Sequence, residues 1–278
     1  MQSDRSEQAP TMSDTSLDAG SIEDVLTRGS LELEGRLVLA SNASFLGHLT
    51  LGGVSLACVY KPVAGERPLW DFPEGTLAAR ERAARVVSEA GGWHVVPPTV
   101  LRDGRFGPGM VQQWVEVEPD AALVDVVADD DRMSGWLAVL EAEDQAGQPV
   151  LLLHADDGRL RDLAVLDVVI NNADRKGGHV LPDADGHVWG CDHGVTFHVD
   201  DKLRTVLWGW AGDPLRAEDV EALGGLRSAL DGQVGRDLRP LLRRREILAL
   251  RGRVNALLDD QIMPSPGRSW HAIPWPAI

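Results

Sequence analysis

Cysteine is scarce in this 278-residue chain: Cys58 and Cys191 are its only two, too few for a disulfide framework and short of a zinc-ligand set. Both lie in apolar, strand-like contexts, which predicts buried free thiols in a reducing cytosol and hence a cytoplasmic location. Long apolar runs are missing as well. The best stretches, Val150 to Leu153 and Leu163 to Ile170, fall short of the ~18 consecutive apolar residues that a membrane span needs. Residues 1–20 contain no apolar signal region and read as a disordered polar arm. Positive charge is in deficit: 27 Lys and Arg against 43 Asp and Glu give a formal net charge of −16. Such a surface repels nucleic acid and anionic headgroups, which demand clustered cations, so no nucleic-acid partner is expected. The single basic run, Arg243-Arg244-Arg245, reads as a solvated helix face.

What remains is a chain that is 44% apolar, long enough for one large domain or two lobes that share a cleft. Leu31 to Lys61 predicts two or three antiparallel strands, with turns near Asn42 and at Gly52-Gly53. A helix is expected from Thr76, as its cap, to Ala90, stopped by Gly91-Gly92. Pro97 to Leu101 and Met110 to Val115 read as two more strands. Beyond Glu118 the pattern turns helical, with a segment near Met133 to Glu143 and then Leu160, Leu163, Leu166 and Ile170 at spacings of three and four. The prediction is an α+β, two-lobed protein with a β-rich N-lobe over 21–117 and a mainly helical C-lobe over 118–278. Ala217 to Gln261 is mostly amphipathic helix, and Ser269 to Ile278 is a Trp- and Pro-rich tail without periodicity.

The chemistry-bearing residues gather around one loop and one hairpin. Asp174 follows a helix end, with Lys176 and His179 close behind it; His179 to Cys191 reads as a hairpin, and Asp192 stands at its far end. Transfer of a γ-phosphoryl group needs a carboxylate near the acceptor hydroxyl, a metal between phosphate oxygens, and a cation on the phosphates. This set can supply all three. In the N-terminal half, Lys61 ends a strand, and Glu81 lies on the following helix, where its spacing from Leu77 and Ala84 turns the carboxylate toward the packed side and calls for a cation. The turn Ser41, Asn42, Ala43, Ser44 offers backbone N–H groups and hydroxyls that can wrap a phosphate; taken alone it is a hairpin turn.

On the strand Val59-Tyr60-Lys61-Pro62, the loop Asn171 to His179 and the motif Asp192-His193-Gly194, the chain resembles the phosphatidylinositol 3- and 4-kinase-like family of actinobacteria, over about Gly35 to Phe197. The resemblance implies a bilobal protein-kinase-like fold and ATP as donor. It implies Asp174 as the catalytic aspartate, Lys176 as the γ-phosphate contact, and Lys61 with Glu81 as the clamp on the α- and β-phosphates. Ser41, Asn42 and Ser44 would be the phosphate turn, with Gln112 and Gln113 on the strand that leads to the ATP hinge. His179 and Asp192 would hold Mg²⁺ or Mn²⁺. His179 stands where the family pattern has Asn, and His193 where it has Phe, so either an imidazole ligand gives a preference for Mn²⁺ or a single metal on Asp192 suffices. The expected acceptor is a protein or small molecule rather than a lipid, since no basic membrane-facing segment accompanies the loop. The alternative is a nucleotide-binding regulatory module without transfer, docking a partner through the tail around Trp275. Arg175 is expected to brace the loop.

Overall fold

The computed structural model describes residues 19–37, 42–128, 133–144, 146–267 and 272–278. Most of the expected polar arm, and Ser41 of the phosphate turn, lie outside the described residues.

The chain is α+β. A helix, α1 (Ala19–Arg28), precedes β1 (Ser30–Arg36), β2 (Phe45–Leu51) and β3 (Val54–Pro62); helix α2 (Leu77–Ala90) then leads to β4 (Thr99–Gly104) and β5 (Gly107–Gln113). These strands form one antiparallel sheet in the order β1-β2-β3-β5-β4. The two-residue period of a strand divides β3 between two faces. Cys58 and Tyr60 turn into a small core with Val25, Leu26, Leu49, Val100 and Val111, so Lys61 faces the other way, toward the rest of the molecule.

The following stretch corrects the sequence reading. Where Met133 to Glu143 was expected to be helical, β6 (Val124–Ala128), β7 (Trp136–Glu143) and β8 (Pro149–Ala155) form a second antiparallel sheet in the order β6-β8-β7. Its Ala, Leu and Glu are good helix formers, but the segment pairs along its length with β8, and Leu137 and Val139 pack on the large core. Tertiary pairing overrides weak local preference here. The β-rich part of the chain therefore runs on to residue 155.

Helix α3 (Gly158–Ile170) starts at Asp157, whose carboxylate accepts the Arg159 N–H at 2.8 Å. It ends at Asn171 in the left-handed conformation, φ 54°. The hairpin β9 (Val180–Pro182) and β10 (Val188–Gly190) follows as expected. Helices α4 (Ala217–Asp231), α5 (Gln233–Asp237) and α6 (Arg244–Asp260) complete the fold. The large core joins α3, α4 and α6 to Ala83, Ala84 and Val87 of α2. Arg80 of α2 is buried and pairs with Glu246 of α6 at 2.5 Å. Helix α2 is thus anchored in the large lobe although the chain delivers it from the small one.

A smaller expectation also changes. Thr76 does not cap α2: its hydroxyl donates to Pro73 O, while the Glu66 carboxylate accepts the N–H groups of Leu77 and Ala78 at 3.1 and 2.9 Å. In the tail, Ile273 and Ala277 pack on the large core while Trp275 stands out at 85% exposure. No helix among the described residues is long and apolar enough to cross a membrane.

Candidate functional site

The end of β3, the inner face of α2, the loop after α3 and the end of the β9–β10 hairpin converge on one cleft of about 130 Å³. Asn42, Ser44, Lys61, Glu81, Asp174, Lys176, His179 and Asp192 all line it. Lys61 Nζ donates to Glu81 Oε1 at 2.9 Å and to Asp192 Oδ1. Burial alone would lower its pKa, but Asp192 and Glu81 outweigh that effect and hold the ammonium above its ordinary range. In return Lys61 holds the Asp192 carboxyl well below the usual carboxylate range, against the opposing effect of burial. Glu81 uses its second oxygen to accept the His193 backbone N–H at 2.8 Å, so one helical carboxylate fixes both the lysine and the loop 192–194.

Asp192 adopts a left-handed backbone, φ 58°, which Asp tolerates better than most residues. Its Oδ2 faces His179 Nε2 at 3.4 Å. Burial brings the His179 pKa down to about 4, so the ring is neutral near neutral pH, with Nδ1 accepting the Lys176 backbone N–H at 3.5 Å. On the facing loop, Asp174 Oδ2 lies 3.2 Å from Lys176 Nζ. Burial raises the Asp174 pKa, with Lys176 and Arg204 working against the shift. The cleft brings together two lysines and the four carboxylates of Glu66, Glu81, Asp174 and Asp192.

The loop is built on a buried pair. Asp167, on the inner face of α3, accepts from Arg175 Nε at 2.9 Å and from Asn172 Nδ2 at 2.8 Å. Arg175, fully buried, also donates to Cys191 O at 2.9 Å and to His193 Nε2 at 2.7 Å. Arginine can only donate, so His193 carries its proton on Nδ1. A Cβ on Gly190 would meet Leu163 Cδ1 at 2.6 Å and the Arg175 guanidinium at 3.2 and 3.3 Å, so glycine leaves room for both. Arg175 braces the loop, as expected from the sequence.

Gln112 and Gln113 are not brought to the cluster. Gln112 is buried and its amide donates sideways to Thr99 Oγ1 at 2.8 Å, while the Gln113 backbone N–H goes to Pro98 O at 2.9 Å. Sequence reasoning missed Glu66, Asp167 and Arg204. A carboxylate within the apolar run of α3 was a readable sign for Asp167; Glu66 reaches α2 across a proline-rich loop that carries no periodicity.

A Helicobacter pylori structure, that of the proinflammatory kinase CtkA, aligns over 85% of this chain and 94% of its own at 10% identity and a TM-score of 0.43. No family model matches the chain. Protein Rv2133c of Mycobacterium tuberculosis is 52% identical over 263 residues, covering 91% of this chain and 94% of its own length. The chain therefore belongs to the same family as Protein Rv2133c.

Proposed function

We propose that this protein is an ATP-dependent phosphotransferase of kinase type, with the cleft between Lys61, Asp174 and Asp192 as its active site. The observation that carries the reading is the contact of one strand-end lysine with both a helical carboxylate and the aspartate after the hairpin. In kinases a lysine on the third strand pairs with a glutamate on the next helix, and a separate aspartate holds the metal. Here the strand is β3, the helix is α2, and Asp192 is the aspartate. The resemblance to the phosphatidylinositol 3- and 4-kinase-like family points the same way.

In this reading Asp174 accepts the proton of the acceptor hydroxyl, and its raised pKa strengthens it as a base. The acceptor oxygen bonds to the γ-phosphorus as the bond from that phosphorus to the ADP oxygen breaks. Lys176 and Lys61 balance the phosphate charge, and Asn42 and Ser44 line the phosphate side. Asp192, whose side chain is 47% exposed, and the neutral His179 would be the residues to hold a divalent cation. Such a cation supplies charge neutralisation to the phosphates. Four carboxylates against two lysines would otherwise repel a polyphosphate.

The test is incubation with γ-labelled ATP and Mg²⁺ or Mn²⁺, following transferred label and free phosphate. Asp174→Ala and Asp192→Ala should each lower turnover by at least about a thousandfold, and His179→Ala should abolish any Mn²⁺ preference. Turnover that survives in both aspartate variants would remove the proposal. ATP binding without turnover in the wild type would favour a regulatory module.

A further inference from the structure

The loop 63–76, between β3 and α2, carries a second cavity, of about 320 Å³. Val63, Pro68, Leu69, Phe72 and Pro73 line it, with Leu77 at the start of α2. Glu66 and Leu77 line both this cavity and the cleft that holds Lys61, Asp174 and Asp192, so the two spaces adjoin. On the cleft side Leu77 lies against the loop 192–194: a Cβ on Gly194 would stand 3.3 Å from Leu77 Cβ.

The loop is fastened to the large lobe around Phe72. Asp71 accepts from Lys202 Nζ at 2.6 Å, the Phe72 ring stands edge-on to His198 with centroids 5.4 Å apart, and the Arg80 guanidinium lies 4.9 Å over the same ring. The cavity is therefore formed in advance, at a volume within the range of about 300–1,000 Å³ usual for small-molecule sites. Its polar groups are largely committed. Pro68 and Pro73 have no N–H to offer. Glu66 N donates to Val63 O at 3.1 Å, Arg67 N donates to Asn42 Oδ1 at 2.8 Å, and Pro73 O accepts the Thr76 hydroxyl at 2.7 Å. Both carboxylate oxygens of Glu66 accept amides of α2. Arg67 and Glu74, the other charged residues of the lining, are exposed.

Walls of this kind favour a carbon skeleton and penalise every hydroxyl buried without a partner. We infer that the cavity receives the body of the phosphate acceptor, and that this acceptor is a small alcohol with an apolar skeleton whose hydroxyl passes Glu66 and Leu77 into the cleft. Polyols such as inositol or a hexose are disfavoured by their remaining hydroxyls. This rests on the phosphotransferase reading above and adds the acceptor class to it. The alcohol oxygen bonds to the γ-phosphorus, the bond from that phosphorus to the ADP oxygen breaks, and the alcohol proton passes to Asp174.

The experiment uses the full chain with two probes of the same ring size, cyclohexylmethanol and inositol, which differ in the number of hydroxyls. Two variants alter the cavity at a residue that belongs to neither core: Leu69→Trp fills it and Leu69→Ala widens it. Binding of each probe is titrated by ligand-detected NMR without nucleotide. Each protein is then incubated with γ-labelled ATP, divalent cation and one probe, and labelled alcohol and free phosphate are followed separately. The wild type should bind and label cyclohexylmethanol at least about tenfold better than inositol. Leu69→Trp should weaken both by at least about tenfold, and Leu69→Ala should shift the preference toward the longer cyclohexylpropanol. The alanine variant decides alone if the tryptophan variant lacks a cooperative melting transition. Inositol bound or labelled as well as cyclohexylmethanol would overturn the inference. So would a wild type that fails to bind cyclohexylmethanol, or binding that both variants leave unchanged. Cyclohexylmethanol bound in the wild type and lost in Leu69→Trp, with neither phosphate release nor label from any protein, would instead overturn the transfer reading, and the acceptor role of the cavity with it.

Discussion

The two cores of this molecule hold different shares of one site. The small core, between α1 and the five-stranded sheet, fixes the strand that ends in Lys61. The large core fixes everything that Lys61 touches: Asp192 after the β9–β10 hairpin, and Glu81 on α2, whose Ala83, Ala84 and Val87 are buried there. Chain order assigns α2 to the first lobe; its packing spans both, since Arg82 donates to Thr99 O of β4 while Ala83, Ala84 and Val87 lie in the large core. The contacts of Lys61 are therefore a joint between two bodies rather than an internal brace of either.

Removing the anchor of α2 should have the largest effect. Glu246→Ala leaves Arg80 buried without its counter-charge, both side chains being 6% exposed or less, and should cost about 3–5 kcal/mol, read from the shift of the urea midpoint. A loss below about 1 kcal/mol would return α2 to the small lobe.

Next, truncations in the two cores should separate them. Leu166→Ala, in the large core, should lower global stability by about 2–5 kcal/mol. Leu49→Ala, in the small core, should instead appear as faster hydrogen exchange confined to α1 and β1–β5, with α3 and α6 still protected. Equal loss of protection everywhere would merge the two bodies into one.

The joint is tested by Glu81→Gln, which keeps the shape of the side chain and removes its charge. Turnover should fall about a hundredfold through misplacement of Lys61, with little change in the melting of the large core.

The smallest effect sharpens the large lobe alone. Asp157→Ala removes the cap of α3 and should cost about 1 kcal/mol. Hydrogen bonding from the Arg159 side chain holds the Asp157 carboxyl below its ordinary 3.8. Its stabilisation is thus present above that value and is lost as the pH falls below it. Thermal melts of the wild type and the variant at pH 7 should differ, and the difference should shrink as the pH is lowered below 3.8.

Much of this was legible in the sequence because it is local. The strand ending at Lys61 has its turn signals beside it, the α3 spacing is helical, and the hairpin between His179 and Asp192 carries its turn, Asp183 to Gly186, between its strands. The charged residues of the cleft sit at fixed distances from those elements, so their types and spacing were readable too. What was not legible depends on partners distant in the chain. Strand β7 is composed of helix formers and becomes a strand only because β8 lies beside it. Gln112 has the position of a cleft residue, but its amide is taken by Thr99 on the neighbouring strand. The cap of α2 comes from Glu66 rather than from the adjacent Thr76, and the packing of the 272–278 segment has no signature in its own residues.

The Glu66 cap also bears on which solutes the cleft will admit. The amides at the start of a helix ordinarily form a ready seat for sulfate, phosphate or a stray carboxylate. In this protein the seat at α2 is filled by a side chain that itself lines the cleft. A free anion gains nothing there and meets negative charge, whereas a polyphosphate that arrives with its metal brings its own neutralisation. The cleft thereby discriminates by the company an anion keeps, and millimolar sulfate or inorganic phosphate in the surrounding solution should be a poor competitor for it.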